Sequence, residues 1–137
     1  MAAKVAKNII SSGKRKTSIA RAIISKGKGA VRINHLNLNV YSNEIARLKI
    51  MEPLILSDDL AKSVDINVIV KGGGWQSQAE AARLAIAKAL VDYYKKDSLK
   101  NKFLDYDRNL LVADIRRTEQ QKPRRSAARA SRQMSKR

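Results

Sequence analysis

The stretch DINVIVKGGGWQSQAEAARLAIAKAL, residues 65–90, constrains the chain more than any other. Apolar residues at 66, 68 and 70 have the period of a half-buried strand. The pattern then changes to three- and four-residue spacing through Ala79, Ala82, Ile86, Leu90 and Tyr93, which predicts a helix from Gln76 to about Lys95. Three glycines at 72–74 join the two. The many alanines favour the helix and let a sheet approach it closely. A strand, a glycine turn and a helix packed back on a sheet make an α+β domain the expectation.

The rest of the chain is read around that unit. Residues 17–24 (TSIARAII) are rich in β-branched side chains, and KGKG at 26–29 has the glycines of a tight turn, so a hairpin with a second arm at 30–34 is expected. Apolar parity switches near Asn34 and His35, which requires a turn or bulge there. Ser42 is the expected cap of a short helix through Glu44, Ile45 and Leu48 that Glu52 and Pro53 interrupt. Ser98 is the expected cap of a second short helix pairing Leu99 with Phe103, and residues 110–113 read as a last strand. These elements place a globular unit in residues 1–114 and a basic extension in residues 115–137. There is no internal repeat.

Charge is distributed unevenly. The 29 Lys plus Arg residues outweigh the 12 Asp plus Glu residues to give a net charge of +17, which calls for a polyanionic partner. Residues 1–43 carry nine cations and no acid, and residues 115–137 carry nine more against Glu119 alone. The final segment, KPRRSAARASRQMSKR, has too little apolar surface to offset the entropy of ordering itself. It is read as a binding device that RNA orders, either as a helix with Arg125, Arg129, Arg132 and Lys136 on one face or as an extended strand touching phosphates in succession. No apolar run approaches the roughly 20 residues that span a bilayer, so membrane binding is disfavoured. With no cysteine, disulfides, thiolate metal sites and cysteine nucleophiles are excluded.

Enzymatic signals are weak. GKRKT at 13–17 resembles a phosphate loop superficially, but Arg15 follows the lysine and no glycine stands at position 8. Lys14, Arg15 and Lys16 are better read as phosphate-contacting charge entering a strand. The glycine turn before the long helix has backbone N–H groups suited to an anion, although a close turn is the commoner reason for glycines there. Asp58, Asp59, Asp105 and Asp107 have no recognisable metal spacing, and His35 reads as a turn residue. Trp75 reads as a cover for the helix start. No catalytic group, cofactor or metal is expected. The rival readings are a small phosphotransferase using the glycine turn and a general nucleic-acid chaperone.

Three segments together resemble the universal small-subunit ribosomal protein family known as S-nine. They are SGKRKTSIARAIISKGKGAVRIN at 12–34, GGGWQSQAEAARLAIAKAL at 72–90 with Gln78, Ala81, Ala85, Lys88 and Leu90 at the family's signature positions, and DYDRNLLVADIRRTE at 105–119 with the basic end. RLKIMEPLIL at 47–56 is similar to the archaeal and eukaryotic branch. MSKR replaces that branch's aromatic-containing ending, and 123–130 has no glycine-rich spacer.

The resemblance implies a small mixed sheet with helices on one face, a left-handed βαβ crossover, and an extended basic C-terminal tail. It implies a non-enzymatic, cytoplasmic protein of the small-subunit head whose partners are ribosomal RNA, peptidyl-site tRNA and neighbouring head proteins. The candidate RNA-binding residues are Lys14, Arg15, Lys16, Arg21, Lys26, Lys28, Arg116, Arg117, Lys122, Arg124, Arg125, Arg129 and Arg132. The resemblance further implies that Gln133, Lys136 and Arg137 contact the anticodon stem-loop of the tRNA.

Overall fold

The structure, a computed structural model, describes residues 8–131 and residue 135. Five strands form one mixed sheet: β1 (Ile9–Arg15), β2 (Ser18–Lys26), β3 (Val31–Ile33), β4 (Leu36–Asn37) and β5 (Val64–Lys71), in the spatial order β1-β2-β5-β3-β4. The β3–β5 pair is parallel and the other three pairs are antiparallel. Four helices complete the fold: α1 (Glu44–Leu56), α2 (Asp59–Lys62), α3 (Trp75–Tyr94) and α4 (Asp97–Tyr106). The parallel pair is joined by a crossover that runs through α1 and α2.

The strand at 65–71 and the long helix stand where their periodicity predicts. Ala20, Ala22 and Ile24 of β2 and Val64, Ile66, Val68 and Val70 of β5 are buried against the apolar side of α3. Nine residues of α3 are buried, six of them alanine, so the helix sinks further into the core than a single stripe implies. Close approach is most severe at Gly13, where an added Cβ would lie 2.2 Å from the Ala81 carbonyl oxygen. Packing of β1 on α3 therefore demands glycine at that position.

The glycine turn before α3 serves the fold. Gly72 and Gly73 have φ of +78° and +68°, a region that costs other residues strain. The Gly72 carbonyl accepts the hydroxyl of buried Ser18 at 2.8 Å and the Gln78 side-chain amide at 3.1 Å. Gln78 in turn accepts from the Tyr41 hydroxyl at 3.2 Å, tying the start of α3 to the segment after β4.

The expected hairpin across residues 26–29 does not form. The hairpin partner of β2 is β1, through a turn at Lys16 (φ 52°) and Thr17, and β5 lies between β2 and β3. Segment 27–30 instead steps across the end of β5, which satisfies its backbone. The Asp65 carboxylate accepts from Lys28 N at 2.8 Å and Ala30 N at 2.9 Å, while Gly27 and Gly29 donate to the Ser63 and Val64 carbonyls. Those backbone bonds hold the Asp65 carboxyl below its ordinary pKa. Bonds that a β2–β3 ladder would have made are thus met by β5.

The parity switch at Asn34 and His35 is a turn, with both residues at positive φ (48° and 70°), linking β3 to β4. The Asn34 side chain donates to the Val70 carbonyl and accepts from Val70 N, extending the β3–β5 ladder past the last β3 residue.

Other boundaries also differ from the expectations. Asn43, not Ser42, caps α1, its side chain accepting from Ala46 N at 2.9 Å. The helix continues through Pro53 to Leu56 instead of breaking. Pro53 removes one helical donor, but it is itself buried in line with Ala46 and Ile50, and that packing keeps the helix in register. Lys96, not Ser98, precedes α4, although Leu99 and Phe103 are buried as a pair. Residues 110–113 form no strand: a short 3-10 turn at Arg108–Leu110 buries Leu110 and irregular chain follows. From residue 111 onward the described chain has no helix or strand and is largely exposed.

Candidate nucleic-acid interface

Alternation along the strands gives the sheet two unlike faces. Residues of one parity meet α3, and those of the other point away from it. Register aligns the outward residues in rows across the strands: Lys14, Ile19 and Lys71 form one, Arg21 faces Ile69 in the next, and Ile23, Asn67 and Arg32 make a third. Ile19 and Ile69 remain 46% and 41% exposed at the middle of this surface. No aromatic side chain occurs on any of the five strands. Asp65 is the only acid on a strand; its Oδ1 accepts from the backbone of the 27–30 segment, and the Arg32 charge acts on the same carboxyl. Lys14, Arg21, Arg32 and Lys71 make no ion pair among the described residues.

On the helix side of the molecule the most buried cations are paired. Arg15 turns inward and donates from Nε to Glu80 of α3 at 2.7 Å, and its Nη1 lies 3.1 Å from the Asp114 carboxylate. Lys49 of α1 reaches the other oxygen of Glu80 at 3.1 Å. Burial raises the Glu80 carboxyl, but the bonds from Arg15 and Lys49 outweigh it and leave its pKa below the ordinary value. Arg83 bridges Glu52 of α1 and Asp107, the latter at 2.9 Å.

Asp114 lies at the start of the irregular, largely exposed chain that follows the 3-10 turn. Its carboxylate accepts from the Arg116 guanidinium at 2.6 Å and the Arg116 backbone N–H at 2.8 Å, besides its pairing with Arg15. The Arg116 bonds, with the Arg15 charge behind them, hold the Asp114 carboxyl far below the usual carboxylate range. A chain of charges therefore runs from Lys49 through Glu80, Arg15 and Asp114 to Arg116, fastening the first residues of the extension to β1 and α3.

The candidate RNA contacts fall into distinct places. Lys14 and Arg21 lie on the open face of the sheet. Lys16 is in the β1–β2 turn, Lys26 ends β2 on the helix-facing parity, and Lys28 is in the exposed segment over β5. Arg15 is engaged with Glu80 and Asp114. Arg116 holds Asp114 while 79% of its side chain stays exposed, and Arg117 donates to the Asp114 and Arg116 carbonyls. Further along, Arg129 and Lys122 both approach Glu119, at 2.7 and 3.9 Å, and Arg124 and Arg125 are exposed. Exposed pairs of this kind are weak enough for a phosphate to replace the carboxylate. Arg132, Gln133, Lys136 and Arg137 lie outside the described residues.

Arg32 and Lys71 belong to the open face but escape the sequence reading. The signal existed in the alternation of VRI and DINVIVK, which places Arg32 and Lys71 opposite the buried parity. What was missing was the pairing that sets those strands beside β2.

Among the described residues no group of three or more His, Cys, Asp or Glu side chains is arranged to hold a metal ion. No described helix is long and apolar enough to cross a membrane.

A family model described as "Ribosomal protein S9/S16" matches residues 13–137. The chain is 53% identical over 123 residues to the small ribosomal subunit protein uS9 of Desulfurococcus amylolyticus, covering 90% of this chain and 88% of that protein. It is 46% identical over 127 residues to the uS9 protein of Thermoplasma volcanium, covering 93% and 96% respectively. With its charged extension, signature helix and glycine turn all inside the matched region, the chain belongs to this family of non-enzymatic ribosomal proteins.

Proposed function

We propose that the protein is a structural constituent of the small ribosomal subunit in the cytoplasm, bound to ribosomal RNA in the subunit head beside neighbouring head proteins. Residues 1–114 act as the globular RNA-binding unit and residues 115–137 as a basic extension. The extension reaches the anticodon stem-loop of peptidyl-site tRNA, with Gln133, Lys136 and Arg137 at its end. The reading carries with it the left-handed sense of the β3–α1–β5 crossover that the family pattern implies.

The observation that supports this most is the +17 charge gathered at the two ends of a chain of which nine-tenths or more matches ribosomal relatives. Phosphate neutralisation is the general use of such an excess, through release of condensed counterions. The first test is sedimentation of tagged protein in a cell extract: it should travel with the small subunit and leave that position after ribonuclease treatment. Sedimentation apart from the subunit before digestion refutes the ribosomal role.

The tRNA contact has its own test. Deleting residues 122–137 should leave the domain folded and weaken retention of tRNA in the peptidyl site of reconstituted subunits. Unchanged tRNA affinity removes the extension from that site.

A further inference from the structure

We propose that the open face of the β-sheet is a docking surface for duplex RNA, with Lys14, Arg21, Arg32 and Lys71 on phosphates and Ile19 and Ile69 against the sugar edge of the groove. This rests on the ribosomal reading above and names which surface of the domain receives the RNA and in what form.

Three observations carry it. The first is unbalanced charge. Four cations share one face of the sheet and none forms an ion pair within 4 Å among the described residues, whereas Arg15, Lys49 and Arg83 on the helix side are each paired with a carboxylate. The one acid on the strands, Asp65, shares the outward parity at the start of β5, where its Oδ1 accepts two backbone N–H bonds and its charge is felt by Arg32, so the excess on this face is four cations against one carboxylate. A face of this kind repels itself and attracts a polyanion.

The second is spacing. Neighbouring strands lie about 4.8 Å apart, so Lys14 and Lys71, on either side of Ile19, are rooted about 10 Å from one another. Arg32 stands one strand beyond β5, two rows along from Lys71. The patch is therefore broad enough to meet several phosphates at once.

The third is the absence of rings. Single-stranded RNA is held by stacking its bases on aromatic side chains, and these strands contain none. A double helix presents instead a wide, shallow minor groove of riboses and phosphates that is recognised by shape. Half-exposed isoleucines between basic side chains suit that surface: the aliphatic groups cover sugar carbons while the charges reach the flanking phosphates.

The absence of cysteine makes a direct test possible in the full-length chain. Single variants Ile69→Cys on the open face, Leu104→Cys on α4 and Ser126→Cys on the extension would each carry tethered iron-EDTA into reconstituted small subunits. Hydroxyl radicals from position 69 should cut base-paired ribosomal RNA strongly, and those from position 104 weakly. Cutting from 126 without cutting from 69 overturns the open-face proposal and leaves the ribosomal reading intact. A protein crosslinked at 69 in place of RNA also overturns it. Failure of all three labelled proteins, and of the unmodified chain, to enter the subunit defeats the underlying ribosomal reading instead.

A second measurement keeps the test quantitative. Arg21→Ala combined with Lys71→Ala should keep the circular dichroism spectrum of the parent chain. It should lower the slope of log affinity for duplex ribosomal RNA against log salt by about 1.4 to 1.8, the loss of two phosphate contacts. An unchanged slope overturns the proposal.

Discussion

On the helix side of the sheet Arg15 and Arg83 are each flanked by two carboxylates, whereas on the open side Lys14, Arg21, Arg32 and Lys71 form no ion pair and only Arg32 has an acid, Asp65, close enough to feel its charge. The inner cations are about 85% shielded from water, and a guanidinium there must be neutralised by the chain itself. The outer ones remain in solvent, where an unpaired charge costs little and stays available to a partner. Deep burial thus marks Arg15 and Arg83 as cations that hold the domain together, whereas the exposed cations of the sheet face outward.

Five variants would break or sharpen this contrast. The largest effect is expected at Gly13. Gly13→Ala sets a methyl group 2.2 Å from the Ala81 carbonyl oxygen and should lower unfolding free energy by about 3 kcal/mol in urea denaturation, the upper range for overpacking. The neighbouring Ser12→Ala, exposed on the opposite face, should stay within about 0.5 kcal/mol of the parent. Equal losses at the two positions would mean that the faces are not distinct.

Next comes Arg83→Met. It strands Glu52 and Asp107 at the junction of α1, α3 and the 3-10 turn, and should cost about 2 kcal/mol, less than a fully buried pair because both carboxylates touch solvent. A neutral result would show that the inner cations are as dispensable as outer ones.

Smaller in stability, but local in effect, is Asp114→Asn. The thermal midpoint should hardly move, while backbone NMR relaxation of residues 115–118 should report faster motion once Arg15 and Arg116 lose their shared counter-charge. The same contact predicts a pH response. Because the folded carboxyl is depressed, its contribution is complete above the ordinary aspartate pKa of about 3.9 and is lost as pH falls below that through the folded value. Carbon-detected titration of Asp114 should therefore show it ionised at pH 4. A midpoint at or above that pH contradicts the charge chain that fastens the extension.

The smallest change in stability is expected for Arg21→Ala combined with Lys71→Ala, within about 0.5 kcal/mol of the parent, since neither side chain has a partner to lose. Destabilisation well beyond that would give these residues a structural duty and weaken the contrast.

Local pattern made much of this legible in advance. Period-two alternation placed β5, three- and four-residue spacing placed α3, and the parity switch placed the turn at Asn34 and His35. Each depends on neighbours within a few residues, where backbone geometry and solvent exposure leave a regular imprint. The basic clusters were visible for the same reason, as were Lys14 and Arg21 among them.

What failed was non-local. Nothing in residues 18–33 says that β5 will come between β2 and β3, so the glycines at 27 and 29 suggested a hairpin where the chain makes a crossing. Pro53 reads as a helix breaker until its burial beside Ile50 is known. The ion pairs of Arg15 and Arg83 join residues 65 and 24 or more positions apart, and no spacing rule reaches so far.

The sequence by itself determined β2, β5, the long helix, the charge excess and the kinship with ribosomal proteins, because composition and short-range periodicity are properties of the chain alone. Only the tertiary structure decided which strands are neighbours and so which cations are inward and paired and which stand together on an open face. Register across a sheet depends on backbone bonds between distant segments, and a shift of one residue would have exchanged the two faces.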